Sequence, residues 1–145
     1  MSTEESIIEV MRQQLLELGK AARAAATVLA KAPTQAKDEA LMAAANTMRK
    51  NQDAILHANK TDMEEAQDRE FTKAMLDRLL LTEDRIEAMA KGLEDIARLT
   101  DPVGDVMTEW DRPNGLRIAR IRVPLGVIGI IYESRPNVTA DAGAL

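Results

Sequence analysis

Across residues 1–102, apolar side chains recur at steps of three and four, the spacing of one helix face. The first stripe is Ile8, Met11, Leu15, Leu18, Ala22, Ala25 and Leu29. Ser2 and Glu5 stand at capping-box spacing, which starts this helix near Thr3, and Pro33 ends it. Its alanine-rich far end is thin enough for a neighbour to pack close. Coverage of the stripe by later segments of the chain is the expectation, and a coiled-coil dimer the alternative. Thr34 is expected to cap a second helix that buries Leu41, Ala44 and Met48. A break at Asn51 leads to a third helix over Asp53 to Ala66, with Ile55, Leu56, Asn59 and Met63 inward. Thr72 and Thr82 cap two more. These carry Met75, Leu76, Leu79 and Leu80, then Ile86, Met89, Leu93 and Ile96, before Asp101-Pro102 stops the pattern.

Beyond Pro102 the period shortens. Asp105 to Trp110 and Leu116 to Val123 flank Asp111-Arg112-Pro113-Asn114-Gly115, a strong hairpin signal. Arg117, Arg120 and Arg122 interrupt both faces of the second strand, so the ribbon is partly exposed. A lone two-stranded ribbon is marginal in water, and it reads equally as an oligomerisation arm or as a connector across the helices. The densest apolar run follows: Val127-Ile128-Gly129-Ile130-Ile131-Tyr132. A β-branched run bounded by Gly and Pro predicts a strand buried on both faces. It feeds a polar turn, Glu133-Ser134-Arg135, and a helix after Asn137. Three parts are thus expected: helices over 1–102, a hairpin over 103–123, and a strand-turn-helix over 124–145.

Composition narrows this picture. The chain of 145 residues has the size of one ordinary domain, and one Phe, one Trp and one Tyr leave Ala, Leu, Ile and Met to build the core. Residues 103–145 hold five basic and five acidic side chains, so the net charge of −5 belongs to the helical part, without the basic stripe of a nucleic-acid binder. The absence of cysteine excludes disulfides, thiolate metal sites and a cysteine nucleophile within this chain. His57 is the single histidine and has no second His or Cys to complete a metal site; helix packing or surface is its expected place. No apolar run approaches the ~20 residues needed to span a bilayer, and the acidic N-terminus does not resemble a signal peptide. Cytoplasm is the expected compartment.

Candidate chemistry concentrates in the turn. Gly126 and Gly129 stand as G-x-x-G before and within the predicted strand, so the usual dinucleotide fingerprint is absent. Arg135 can fork onto a phosphate or carboxylate. Asn137, near a helix N-terminus, either caps the helix or offers its amide to a developing oxyanion.

The segment Val123 to Thr139, VPLGVIGIIYESRPNVT, resembles the signature of the γ-glutamyl phosphate reductase (glutamate-5-semialdehyde dehydrogenase) family of the aldehyde dehydrogenase superfamily. Ala74-Met75-Leu76-Asp77-Arg78-Leu79, Leu81-Thr82, Asp101-Pro102-Val103-Gly104 and Ile55-Leu56-His57-Ala58-Asn59 are similar to the family's N-terminal region. The resemblance implies an α/β parent fold. Of it, this chain would hold mainly helices, a β-hairpin and the first strand-turn-helix of the nucleotide-binding domain. It implies NADPH-dependent reduction of γ-glutamyl phosphate to glutamate semialdehyde, with release of phosphate, on the route to proline. By the same resemblance Asn137 stabilises the oxyanion, and Glu133, Ser134, Pro136 and Asn137 border the cofactor. Arg135 is the residue expected at the substrate's phosphate or carboxylate. A homo-oligomer and association with glutamate 5-kinase are the expected partnerships.

Family members are far longer and carry a catalytic cysteine, which this chain does not. The expectation is therefore an N-terminal fragment, inactive alone, that either associates through the open edges of its last strand or leaves its C-terminal segment disordered over a folded helical half. The competing reading is a stand-alone helical interaction module with a β arm.

Overall fold

The computed structural model describes residues 3–145, with side chains from Ser6 onward, and it divides into two compact units. The expected Ser2–Glu5 capping box lies outside the described residues. One unit holds the chain up to Ala32 together with Asp101–Gly129; the other holds Pro33–Thr100 with Ile130–Leu145.

In the first unit, α1 (Thr3–Leu29) is a helix of 27 residues. The hairpin pairs β1 (Val106–Asp111) antiparallel with β2 (Arg117–Ile121). Trp110 stands opposite Ile118 and Glu109 opposite Ala119, and the register shifts between Val106 and Thr108. Gly115 closes the turn at φ 85°, a backbone conformation that a side chain disfavours, and its N–H donates to the Arg112 carbonyl at 2.9 Å. None of this unit's described residues is buried. On α1, Leu15 and Leu18 are each 66% exposed. The later helices spend their apolar faces on one another.

That mutual packing forms the second unit. It contains α2 (Thr34–Lys50), α3 (Gln52–Asp68), α4 (Lys73–Leu79), α5 (Glu83–Ala97) and α6 (Pro136–Ala144). Ala45 of α2 and Ala90 of α5 are fully buried against each other's helices together with Leu93. Small side chains let the two backbones approach closely, as an aromatic-poor core requires. Leu41 and Met48 flank this contact from α2, and Ala140 and Ala144 bring α6 onto it. The inward alanine of α2 is thus Ala45, while Ala44 is exposed. Pro33, not Thr34, occupies the cap position, and Thr34 is the first helical residue. Thr72 and Thr82 cap as expected, accepting from the Met75 and Arg85 N–H groups at 3.4 and 3.2 Å.

Two polar ties hold the helices in register. Arg49 on α2 forks onto Glu87 at 2.8 and 2.9 Å and also donates to Glu94, both on α5. Asn59 on α3 is 4% exposed. Its amide donates to the Leu79 carbonyl at 2.9 Å and its carbonyl accepts from the Leu81 N–H at 2.7 Å, which satisfies the link after α4.

The predicted strand over Val127–Tyr132 is corrected. Among the described residues no second strand pairs with it, and without a ladder partner the segment has no strand. Its apolar side chains are exposed, Ile128 by 64%. Among the described residues no helix is long and apolar enough to cross a membrane.

Two measurements check the polar ties. Asn59→Ala strands two backbone groups in a buried place, at about 1–3 kcal/mol each, so urea unfolding should shift to clearly lower midpoints while Asn51→Ala shifts it much less. Hydrogen bonds from Arg49 hold the Glu87 and Glu94 carboxyls below their ordinary value of 4.5. Carboxyls lowered on folding contribute stability above the ordinary carboxylate range and lose it as pH falls through the lowered values. Arg49→Met should therefore lower the unfolding midpoint at pH 7, and the gap from the parent chain should close as the pH falls below 4.5.

Candidate functional site

The turn into α6 is built by local backbone geometry. Ser134 sits at φ 53°, unusual for a residue with a side chain, and Arg135 holds the N-cap position at φ −138°. Pro136 opens the helix at N1, where its missing N–H leaves no bond unmade. The Val138 N–H donates to the Arg135 carbonyl at 3.0 Å, and the Tyr132 and Thr139 hydroxyls meet at 2.7 Å across the turn.

Asn137 therefore lies one residue inside the helix, and the cap position belongs to Arg135, which makes no side-chain cap bond. The Asn137 amide nitrogen instead donates to the Asp141 carboxylate at 3.0 Å, one turn further on. A carboxylate accepts only from the nitrogen end of an amide, so this bond also settles which end of Asn137 is the donor.

Within the same unit, Arg135, Pro136 and Asn137 form one wall of an open groove of about 490 Å³. The other wall comes from α4, the link after it and α5: Asp77, Arg78, Leu80, Leu81, Arg85, Ala88 and Met89, with Asp141 beside Asn137. Arg85 is spent on structure, donating to the Asp77 carboxylate at 2.8 Å, to the Leu80 carbonyl at 2.7 Å and to the Asp77 carbonyl. Arg78 and Arg135 complete a lining of three cations and two carboxylates, which suits an anionic ligand. Glu133 and Ser134 stand outside the lining, and His57 is exposed on α3. A hollow of about 540 Å³ also runs along α1 between Leu15 and Thr27, but a single helix bounds it and cannot enclose a ligand.

The groove unites Arg135, Pro136 and Asn137, as expected of residues adjacent in sequence. It also recruits Arg78, Arg85 and Asp141, which sequence reasoning passed over. Asp141 had a readable signal, since it stands four residues after Asn137 on one helix face.

No protein-family model matches the chain. It is 63% identical over 131 residues to γ-glutamyl phosphate reductase of Paramagnetospirillum magneticum, covering 90% of this chain and 31% of that protein. The chain resembles one part of γ-glutamyl phosphate reductase. The γ-glutamyl phosphate reductase of Parvibaculum lavamentivorans is 61% identical over 129 residues, covering 89% of this chain and 30% of that protein. Among solved structures, γ-glutamyl phosphate reductase of Thermotoga maritima matches with a TM-score of 0.88 at 46% identity, over 90% of this chain and 32% of that one. The γ-glutamyl phosphate reductase of Saccharomyces cerevisiae matches with a TM-score of 0.83 at 33% identity, over 88% of this chain and 33% of that one. The chain thus spans about a third of the relatives it matches. Its helices and hairpin follow the γ-glutamyl phosphate reductase structures, so the expected aldehyde dehydrogenase-like parent fold holds.

Proposed function

We infer that this chain forms one wall of the active site of an NADPH-dependent γ-glutamyl phosphate reductase. The observation that carries the reading is the 63% identity to the Paramagnetospirillum magneticum enzyme. The reaction is reduction of the acyl phosphate to glutamate-5-semialdehyde with release of phosphate, in proline synthesis. The residues present suit an acyl-phosphate substrate and a phosphate-bearing cofactor: the Arg135 guanidinium belongs to the N-cap of α6, an anion-favouring helix end, and Glu133 and Ser134 precede it in the turn expected to border the cofactor. NADPH supplies the hydride when bound. Arg135 then holds the substrate's phosphate or carboxylate, and Pro136 keeps the turn rigid beside the cofactor.

Attack of a thiolate on the acyl carbon breaks its bond to phosphate and leaves a thioester. Charge develops on the acyl oxygen in that step and again when the thioester is reduced. Asn137 donates to that oxygen in this reading, with the amide N–H that Asp141 does not engage. This chain has no cysteine, so it lacks the thiolate and is inactive alone. The wider reading includes a cytoplasmic homo-oligomer, self-associating through the exposed ribbon, with glutamate 5-kinase as an associated enzyme.

The tests compare the isolated chain with the full-length protein. The chain of 145 residues should oxidise no NADPH with γ-glutamyl phosphate. In the full-length protein, Asn137→Ala should lower kcat by roughly 100- to 1,000-fold, the usual effect of removing one oxyanion donor. Arg135→Ala should raise KM for the acyl phosphate by about 10-fold or more, the effect of losing a charge-assisted bond. Unchanged kcat in the first variant, or unchanged KM in the second, would contradict the role given to that residue.

A further inference from the structure

We propose that Asp141 is a positioning residue for Asn137. The inference rests on the oxyanion reading of Asn137 and deepens it. The Asp141 carboxylate faces two ways. Its Oδ2 accepts from the Asn137 amide at 3.0 Å. Its Oδ1 lies against α5, where a Cβ built on Gly92 would stand 3.9 Å away. A methyl there would make ordinary contact, so the carboxylate sits beside α5 without being pressed by it.

The chemistry gives this arrangement a purpose. An asparagine amide on a helix surface can turn over and present either its oxygen or its nitrogen. Presenting the oxygen to a developing oxyanion would repel it. A carboxylate one turn away makes the flipped state unfavourable, because two acceptors would then meet. Asp141 thereby keeps one N–H for itself and directs the NH2 group, with its second N–H, as the donor end at the groove. Ala140 and Ala144 anchor the same turn of α6 in the core, so the carboxylate moves with a rigid element rather than with the turn before it. Such support matters because a small misplacement of a reacting group is expensive in rate.

The test uses the full-length protein, with NADPH oxidation by γ-glutamyl phosphate as the readout. Asp141→Ala should lower kcat on the order of 10- to 100-fold with KM within about twofold, since orientation and not affinity is lost. Asp141→Asn, whose carbonyl can still accept, should recover most of that loss. The double variant Asn137→Ala/Asp141→Ala should be no slower than Asn137→Ala, because the carboxylate acts through the amide. Wild-type kcat in Asp141→Ala, or a full additive loss in the double variant, overturns the proposal. If Asp141→Ala is unimpaired while Asn137→Ala is slow, the positioning role fails and the oxyanion reading stands. If Asn137→Ala keeps full kcat, the oxyanion reading fails and takes the positioning role with it. A second readout is independent of activity: the Asn137 side-chain NH2 resonances of the 145-residue chain should move in Asp141→Ala and return towards the parent position in Asp141→Asn. No movement in either overturns the bond itself.

Discussion

The close approach of α2 and α5 at Ala45 and Ala90 is the constraint on which the second unit depends. Both alanines are completely buried. Their lack of bulk draws Leu93, Leu41 and Met48 into one contact, and the Arg49 fork onto Glu87 and Glu94 seals its edge. With almost no aromatic side chains, the core gains stability from backbone proximity and good fit rather than from large buried rings. Alanines at 140 and 144 let α6 share the same tight packing. The position of Asn137 over the groove follows from that dock.

The groove takes its character from the elements that close around it. Two of its cations lie on α4 and α5, and the third precedes α6. Arg85 is consumed by Asp77 and two backbone carbonyls, so it ties α5 to the end of α4 and leaves Arg78 and Arg135 to meet a ligand. α5 and α6 thus serve both the core and the groove, while α4 joins only the groove.

Much of this was legible in the sequence, for identifiable reasons. Thr72 and Thr82 announced their helices because a cap is a local interaction between a hydroxyl and an N–H three residues on. The Asn114-Gly115 turn was legible for the same reason. Asn59 was placed inward by period alone, although its partners, Leu79 and Leu81, could not be named without the tertiary fold. α3 runs to Asp68, two residues past the expected Ala66, because Glu70, not a glycine, takes the left-handed position at φ 57°. The choice between Ala44 and Ala45 was missed because a one-residue difference in helix phase lies within the tolerance of a three-four pattern. The strand expected over Val127–Tyr132 shows the limit most clearly: β-branched residues set a preference, but a strand exists only through a partner's hydrogen bonds. For the site, adjacency in sequence brought out Arg135 and Asn137, and helical spacing links Asp141 to Asn137, whereas Arg78 entered only through tertiary packing.

The α2–α5 contact carries α6 and hence the placement of Asn137. Native-state amide hydrogen exchange on the chain and on Ala45→Leu tests it most directly. A leucine at a fully buried alanine overpacks the contact, at about 1–3 kcal/mol. The account predicts faster exchange in α2, α5 and α6 together, with the amides from Val138 onward losing protection in step with those around Ala90. Faster exchange in α2 alone, with α6 as protected as before, would contradict it.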